Sequence, residues 1–337
     1  MRTTAILSLV LVLSLSFCTN KLPEGAFYIS ETDTSYPEDI RSISQKINNN
    51  PTDPKNYYLR ANAFYFLDRF VDAARDYKTA SMLDEKNPLY SFKVAESLLA
   101  PDTANFTEAK TFLEKTIQLK SDYSEAIYLK SKIELARQQY PTLETSIKPL
   151  LKNPEFKEKA MILMVLARKE QRDTVSAITF CDQILSEFPN SFDATMQKAL
   201  FLYEKDPELS EKYVDKAIVI NEFSDEALYT KGLLLQRKEQ YKDAVKYYDK
   251  VIKINAFHVF SYYNKAVIET LFENYSAAIA LCDKIISLNP SDAKTYVLKG
   301  VCAENIGNKK AAKENYLTAF KLDPKFPLDA DQLQLIK

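Results

Sequence analysis

Between Pro54 and about Phe326, small and bulky apolar residues return at a spacing of about 34 residues, a period that decides the fold before any single element is assigned. The eighth place of successive repeats is small: Ala61, Ala95, Ser131, Ala199, Gly232, Ala266 and Gly300, with Val165 larger. A second small series, Ala73, Ala109, Ala177, Ala244, Ala278 and Ala312, marks the twentieth place, where Leu143 and Ser210 depart. Bulkier side chains hold the twenty-fourth: Tyr77, Leu113, Ile147, Cys181, Val214, Tyr248, Cys282 and Tyr316. The first series belongs on one helix and the second on the next, so that small residues let paired helices approach while bulky ones fill the gap to the following pair. Eight repeats result, at 54–87, 88–123, 124–157, 158–191, 192–224, 225–258, 259–292 and 293–326. The predicted fold is all-α, an α-solenoid in which each repeat needs a neighbour to bury its faces.

The exceptions are informative. Residues 100–107 lengthen the turn of the second repeat by two, and the fifth repeat is one residue short near 204–210. Pro149 falls inside the second helix of the third repeat, where it removes an intrahelical bond at about 3 kcal/mol and predicts a kink and the softest junction. Ile40, Ile43 and Ile47 stand at helical spacing in 37–53 and predict a front capping helix; residues 327–337 predict a short closing cap.

The stretch SDAKTYVLKGVCAENIGNKKAAKENYLTAFKLDP, with Tyr296, Gly300, Ala312, Tyr316, Ala319 and Pro324, resembles the tetratricopeptide repeat family. The resemblance implies a right-handed superhelix whose first helices line a concave groove faced by the fifth place of each repeat. That place reads Tyr58, Phe92, Tyr128, Ile162, Met196, Tyr229, Tyr263 and Val297, with Asn62 and Asn264 beside it. One reading makes this ladder a groove for an extended or helical peptide. The other makes the rings packing between adjacent first helices. Relatives that clamp a terminal carboxylate converge basic residues on it; Lys55 and Lys294 stand too many repeats apart to do so.

Composition narrows the classes. With a net charge of -1 the chain lacks the basic balance of a nucleic-acid binder, and 4 glycines among 337 residues leave little for phosphate-cradling loops. Arg2 followed by the apolar run at 5–17 has the proportions of a signal peptide, shorter than the roughly 20 residues of a spanning helix. LSFC at 15–18 resembles the lipobox of bacterial lipoproteins, with Phe17 where that family has Gly, Ala or Ser. It implies a lipid anchor on Cys18, and Thr19 in place of Asp implies the outer membrane, on either side of it. Residues 19–36 carry Pro, Gly, Ser and Thr without period and predict a flexible tether reaching about 60 Å.

Catalytic signals are few. His258 is the sole histidine and stands at a repeat boundary, with no nucleophile motif or metal-ligand pair in view. Cys181 and Cys282 occupy core places, and Cys282 with Cys302 is a conceivable disulfide. No cofactor, metal or small-molecule substrate is expected, and no enzyme. The expected function is a membrane-anchored scaffold lipoprotein that binds a protein or peptide partner in the bacterial cell envelope, in outer-membrane assembly, secretion or motility machinery. A peptide-sequestering sensor and an enzyme with an unrecognised site are the alternatives.

Overall fold

The structure, a computed structural model, describes residues 22–30, 32–100 and 105–336; the leader and Cys18 lie outside them. Among the described residues there are eighteen α-helices and no strand. The chain divides into two compact units, Met1–Ala160 and Met161–Lys337.

In the first unit α1 (Glu38–Asn49) precedes the hairpins α2 (Pro54–Phe66) with α3 (Phe70–Leu83), α4 (Pro88–Leu98) with α5 (Phe106–Leu119), and α6 (Ser124–Ala136) with α7 (Tyr140–Ser146). The unit boundary falls in α8 (Lys157–Glu170), which pairs with α9 (Thr174–Glu187). The second unit continues through α10 (Phe192–Leu202) with α11 (Pro207–Ile220) and α12 (Asp225–Arg237) with α13 (Tyr241–Ile254). It ends with α14 (Val259–Leu271) and α15 (Tyr275–Leu288), α16 (Ala293–Asn305) and α17 (Lys309–Leu322), then α18 (Ala330–Ile336).

The hairpin turns share one device. A residue with positive φ follows the first helix at Asp68, Gln138, Arg172, Glu239, Glu273 and Gly307, always the fifteenth place of its repeat. The next N–H reaches back to a helix carbonyl, as in Gln240 to Leu235 at 2.9 Å and Asn308 to Ala303 at 2.9 Å, which is the Schellman closure. The second and fifth repeats, whose turns differ in length, show no positive φ among their described residues. Between hairpins, side-chain caps start the next helix: Asp53 accepts from the Lys55 N–H, Ser191 from Ala194 and Ser224 from Ala227.

Packing follows the two small series. Ala61, Ala95, Ser131, Ala199 and Ala266 are buried, as are the six alanines of the twentieth place and all eight side chains of the twenty-fourth. At Gly232 an added Cβ would stand 2.6 Å from Tyr248 Cε1, and at Gly300 it would stand 2.5 Å from Tyr316 Cε1. Glycine therefore leaves room for these two tyrosine rings against the facing helix. In the second unit a Lys–Asp rung ties the second helix of each hairpin to the first helix of the next: Lys198 to Asp182, Lys231 to Asp215 at 2.5 Å, Lys265 to Asp249 at 2.6 Å and Lys299 to Asp283 at 2.6 Å. Such half-exposed pairs contribute up to about 1 kcal/mol each, less than the core, but they recur in register.

The expected kink at Pro149 is a break. α7 ends at Ser146, and a 3₁₀ turn, Leu150–Lys152, resumes after the proline and keeps Leu150 fully buried. Pro149 has no N–H for the carbonyl of Thr145, which accepts instead from Lys148 at 3.4 Å.

The expected tether is also corrected. Most of residues 22–36 lie on the first hairpin, not free of it: Ile29 is buried, Phe27 stacks on Phe64 at 5.8 Å, and Tyr36 meets Phe64 edge-on at 6.2 Å. Beneath them Arg60 is fully buried. Its guanidinium grips Asp76 through Nε at 2.6 Å and Nη2 at 2.8 Å, donates to Ser44 Oγ at 3.1 Å and the Phe27 carbonyl at 3.2 Å, and lies 4.5 Å from the Phe27 ring. A buried charge needs this full set of partners, and the segment supplies one of them. At the other end Leu335 and Ile336 of α18 pack against the cluster of Ala303, Ala312 and Tyr316, so the last hairpin is covered there.

Candidate peptide-binding surface

The fifth-place residues divide into two groups. Phe92 and Met196 are buried, Phe92 stacking on Tyr123 at 5.0 Å, so neither presents a surface to a ligand. The half-buried rings pack across junctions. Tyr58 lies between Tyr77 at 5.8 Å and Tyr90 at 5.4 Å, and Tyr128 meets Phe156 at 5.8 Å. Asn62 accepts from the Tyr77 hydroxyl at 2.5 Å, while Asn264 donates to the Tyr229 hydroxyl at 3.1 Å. Ile162 joins the core around Val165 and Cys181. Tyr263 carries the Lys294 ammonium over its ring at 4.1 Å, and burial pushes its phenol up to about 12. The fifth place thus serves mainly to join one hairpin to the next, because a ring at that point of the first helix meets the following repeat before it meets solvent.

Open surface lies further along the same helices, at the ninth and thirteenth places. In the first unit a cleft of about 320 Å³ runs between α4 and α6, with Leu99, Phe106, Leu129 and Ala136 as its apolar walls and Glu96 and Lys132 at its rim. In the second a cleft of about 570 Å³ opens beside α12, α14 and the turn that follows α10. Leu233, Val267 and Leu271 are its aliphatic lining and Tyr203 and Tyr241 its aromatic lining, with Leu271 56% exposed. Arg237 stands at one rim, donating to the Tyr203 carbonyl at 2.8 Å and to Glu204 Oε2 at 3.1 Å. On the side facing the core, Gln236 accepts from the Tyr248 hydroxyl at 2.7 Å. An apolar lining with charged side chains beside it suits an extended or helical segment carrying one or two apolar side chains.

A second pattern in the sequence, beside the aromatic ladder, marks these places. Places five, nine and thirteen form one stripe at helical spacing, and the ninth turns apolar in the later repeats at Leu200, Leu233, Val267 and Val301.

His258 caps α14. Its Nδ1 accepts from the Ser261 N–H at 3.2 Å and lies 2.9 Å from Ser261 Oγ, with Tyr229 4.9 Å away between ring centres. Burial holds its pKa below the ordinary value. Ser261 is fully buried, so its hydroxyl cannot meet a substrate. Cys181, Cys282 and Cys302 are free and buried; burial pushes the first two thiols up to about 12, and the Cys302 sulfur lies 3.2 Å from Thr270 Oγ1. Among the described residues no helix is long and apolar enough to cross a membrane.

Profiles described as tetratricopeptide repeat match residues 225–258 and 293–326, and a second profile of the same description matches 159–191. No curated protein matches the chain. Among solved structures, the crystal structure of a MamA protein is similar over 51% of this chain and 96% of its own, at 19% identity and a TM-score of 0.46. MamA 41-end from Desulfovibrio magneticus RS-1 is similar over 51% and 97%, at 18% identity and a TM-score of 0.47. With helix pairs following one another at the repeat spacing and three of them matching the family's own profiles, the chain is a tetratricopeptide repeat protein.

Proposed function

We propose that the chain is a protein-interaction scaffold of the bacterial cell envelope, held at the outer membrane by lipid on Cys18, whose first-helix clefts receive a segment of a partner protein. The observation that carries the binding reading is the recurrence of one kind of cleft, apolar below and charged at the rim, on the first helices of both units. The leader followed by Cys18 supports export and anchoring. His258 is committed to a helix cap, which supports binding without catalysis.

Two experiments test the two halves. Photoreactive benzoylphenylalanine at Leu233, with Lys246 on the outer face of α13 as control, is installed in cells and irradiated in intact envelopes. Adducts from Leu233 and not from Lys246 support the cleft; equal labelling, or labelling from Lys246 alone, removes it. Cys18→Ala should move the protein from the membrane to the soluble fraction, and a variant that stays with the membrane ends the lipid reading.

A further inference from the structure

The docked segment at residues 22–36 fixes where the chain leaves the first hairpin. Leu22 and Ala26 pack with Ile47, Tyr57 and Tyr90, where α2 begins; Phe27 covers Arg60 midway; Tyr36 meets Phe64 and Arg69 near the end of α2. The segment therefore runs along α2 from its first turn to its last, and its upstream end emerges at the edge formed by the turns at 50–53 and 84–87. Only residues 19–21 separate Cys18 from Leu22, so the anchor point lies within about 14 Å of the folded body, against the roughly 60 Å a free tether would allow.

We propose that the first hairpin rides directly on the lipid surface with the α2-start edge toward it, an orientation that rests on the reading of Cys18 as the lipid anchor. The occupant of this edge is a bilayer surface of zwitterionic lipid. Lys46, Lys55 and Lys86 stand there against Asp53, Asp84 and Glu85, a balance that requires no anionic headgroup. Docking has a cause in the chain itself: lifting the segment away would strip the Phe27 carbonyl and ring from a guanidinium that is otherwise fully enclosed.

The chain contains no tryptophan, so a single one is a clean donor. The chain from Cys18 onward, carrying Thr52→Trp, Glu85→Trp or Leu67→Trp, is coupled through Cys18 to a maleimide phospholipid in phosphatidylcholine vesicles doped with dansyl-headgroup lipid. The other three thiols are buried, which leaves Cys18 as the site of coupling. The two edges of α2 lie about 20 Å apart, so transfer from Thr52→Trp and Glu85→Trp should exceed that from Leu67→Trp by about threefold or more. Inserting a Gly/Ser stretch of about 20 residues between Cys18 and Leu22 should erase the contrast, because such a linker lets the body turn freely. Equal transfer from all three positions without the insertion, or a contrast that survives it, overturns the proposal. Since the lipid is attached chemically, the outcome is independent of whether cells acylate Cys18, which the Cys18→Ala fractionation reads separately.

Discussion

Replacing Gly232 by alanine probes the contact that sets the spacing of a hairpin. The added Cβ would stand 2.6 Å from Tyr248 Cε1 and 2.9 Å from Cδ1, closer than carbon atoms pack, and 3.1 Å from Cζ, tighter than most contacts. Tyr248 is fully buried and its hydroxyl donates to Gln236 at 2.7 Å, so the ring cannot withdraw without breaking that bond. Overpacking of this kind costs about 1–3 kcal/mol, whereas alanine in a helix gains about 1 kcal/mol over glycine. The net expectation is a loss of up to about 2 kcal/mol, confined at first to α12 and α13. The first hairpin marks the lower limit, since it holds Ala61 and Tyr77 at the equivalent places with both buried. Because repeat arrays need not unfold in one step, the suitable assay is hydrogen exchange of α12 and α13 peptides, where 1 kcal/mol is about a fivefold change in the opening constant. Adding Tyr248→Leu, which copies the pairing of Leu113 with Ala95 in the second hairpin, should recover much of the loss made by Gly232→Ala. Slower exchange in the alanine variant, or a double variant whose cost is the sum of the two single ones, refutes the packing argument.

Three further outcomes follow from particular residues. Arg60→Met leaves the buried Asp76 carboxyl without its partner and should lower stability by about 3–5 kcal/mol, seen as early melting of α2 and α3; Arg60→Met with Asp76→Leu should restore much of it. Glu239→Gly and Glu273→Gly relieve side chains held at φ 58° and 62° and should each raise the local stability of their hairpin by up to about 1 kcal/mol, after glycine's own entropic cost. His258 has its pKa depressed by burial, so the unfolded chain takes up the proton first: stability at α14 is intact above the unfolded value of 6.5 and declines as pH falls through it. Exchange of the α14 peptide between pH 7.5 and 5.5 should show the decline, and His258→Asn, which caps without titrating, should flatten it.

What was legible in the sequence was whatever geometry restricts by size at a fixed spacing. Two helices in close approach favour small residues at the eighth and twentieth places, so Ala61, Ala73 and most of their equivalents repeat visibly and are buried, with Val165 and Leu143 as larger exceptions. The twenty-seventh place is as deeply buried, at Ala80, Thr116, Leu150, Ile184, Ala217, Val251, Ile285 and Ala319, but only Ala319 is legible there, through the family pattern. Its side chains range from alanine to isoleucine, so no single size recurs at that place. The same limit hid the docking of residues 22–36. Its contacts, such as Phe27 with Arg60 and Tyr36 with Arg69, join residues 33 apart and occur once in the chain, so no period announces them. Aromatic content left the fifth place open between a peptide surface and packing between first helices; the rings do pack across hairpins, and clefts open one and two turns later. At Pro149 the breaker was visible, but not that a 3₁₀ turn would carry Leu150 back into the core.

The central claim is that the first-helix clefts hold the partner. Once crosslinking from Leu233 supplies that partner, its affinity for Leu271→Glu and for Val175→Glu tests the claim most directly. Leu271 lines the cleft of the second unit at 56% exposure, and Val175 stands 74% exposed on a second helix, so both sites accept a carboxylate without unfolding. A charge placed in an apolar cleft should weaken binding by about tenfold or more at Leu271, with Val175→Glu unchanged. Unchanged affinity at Leu271, or a loss at Val175 instead, contradicts the account.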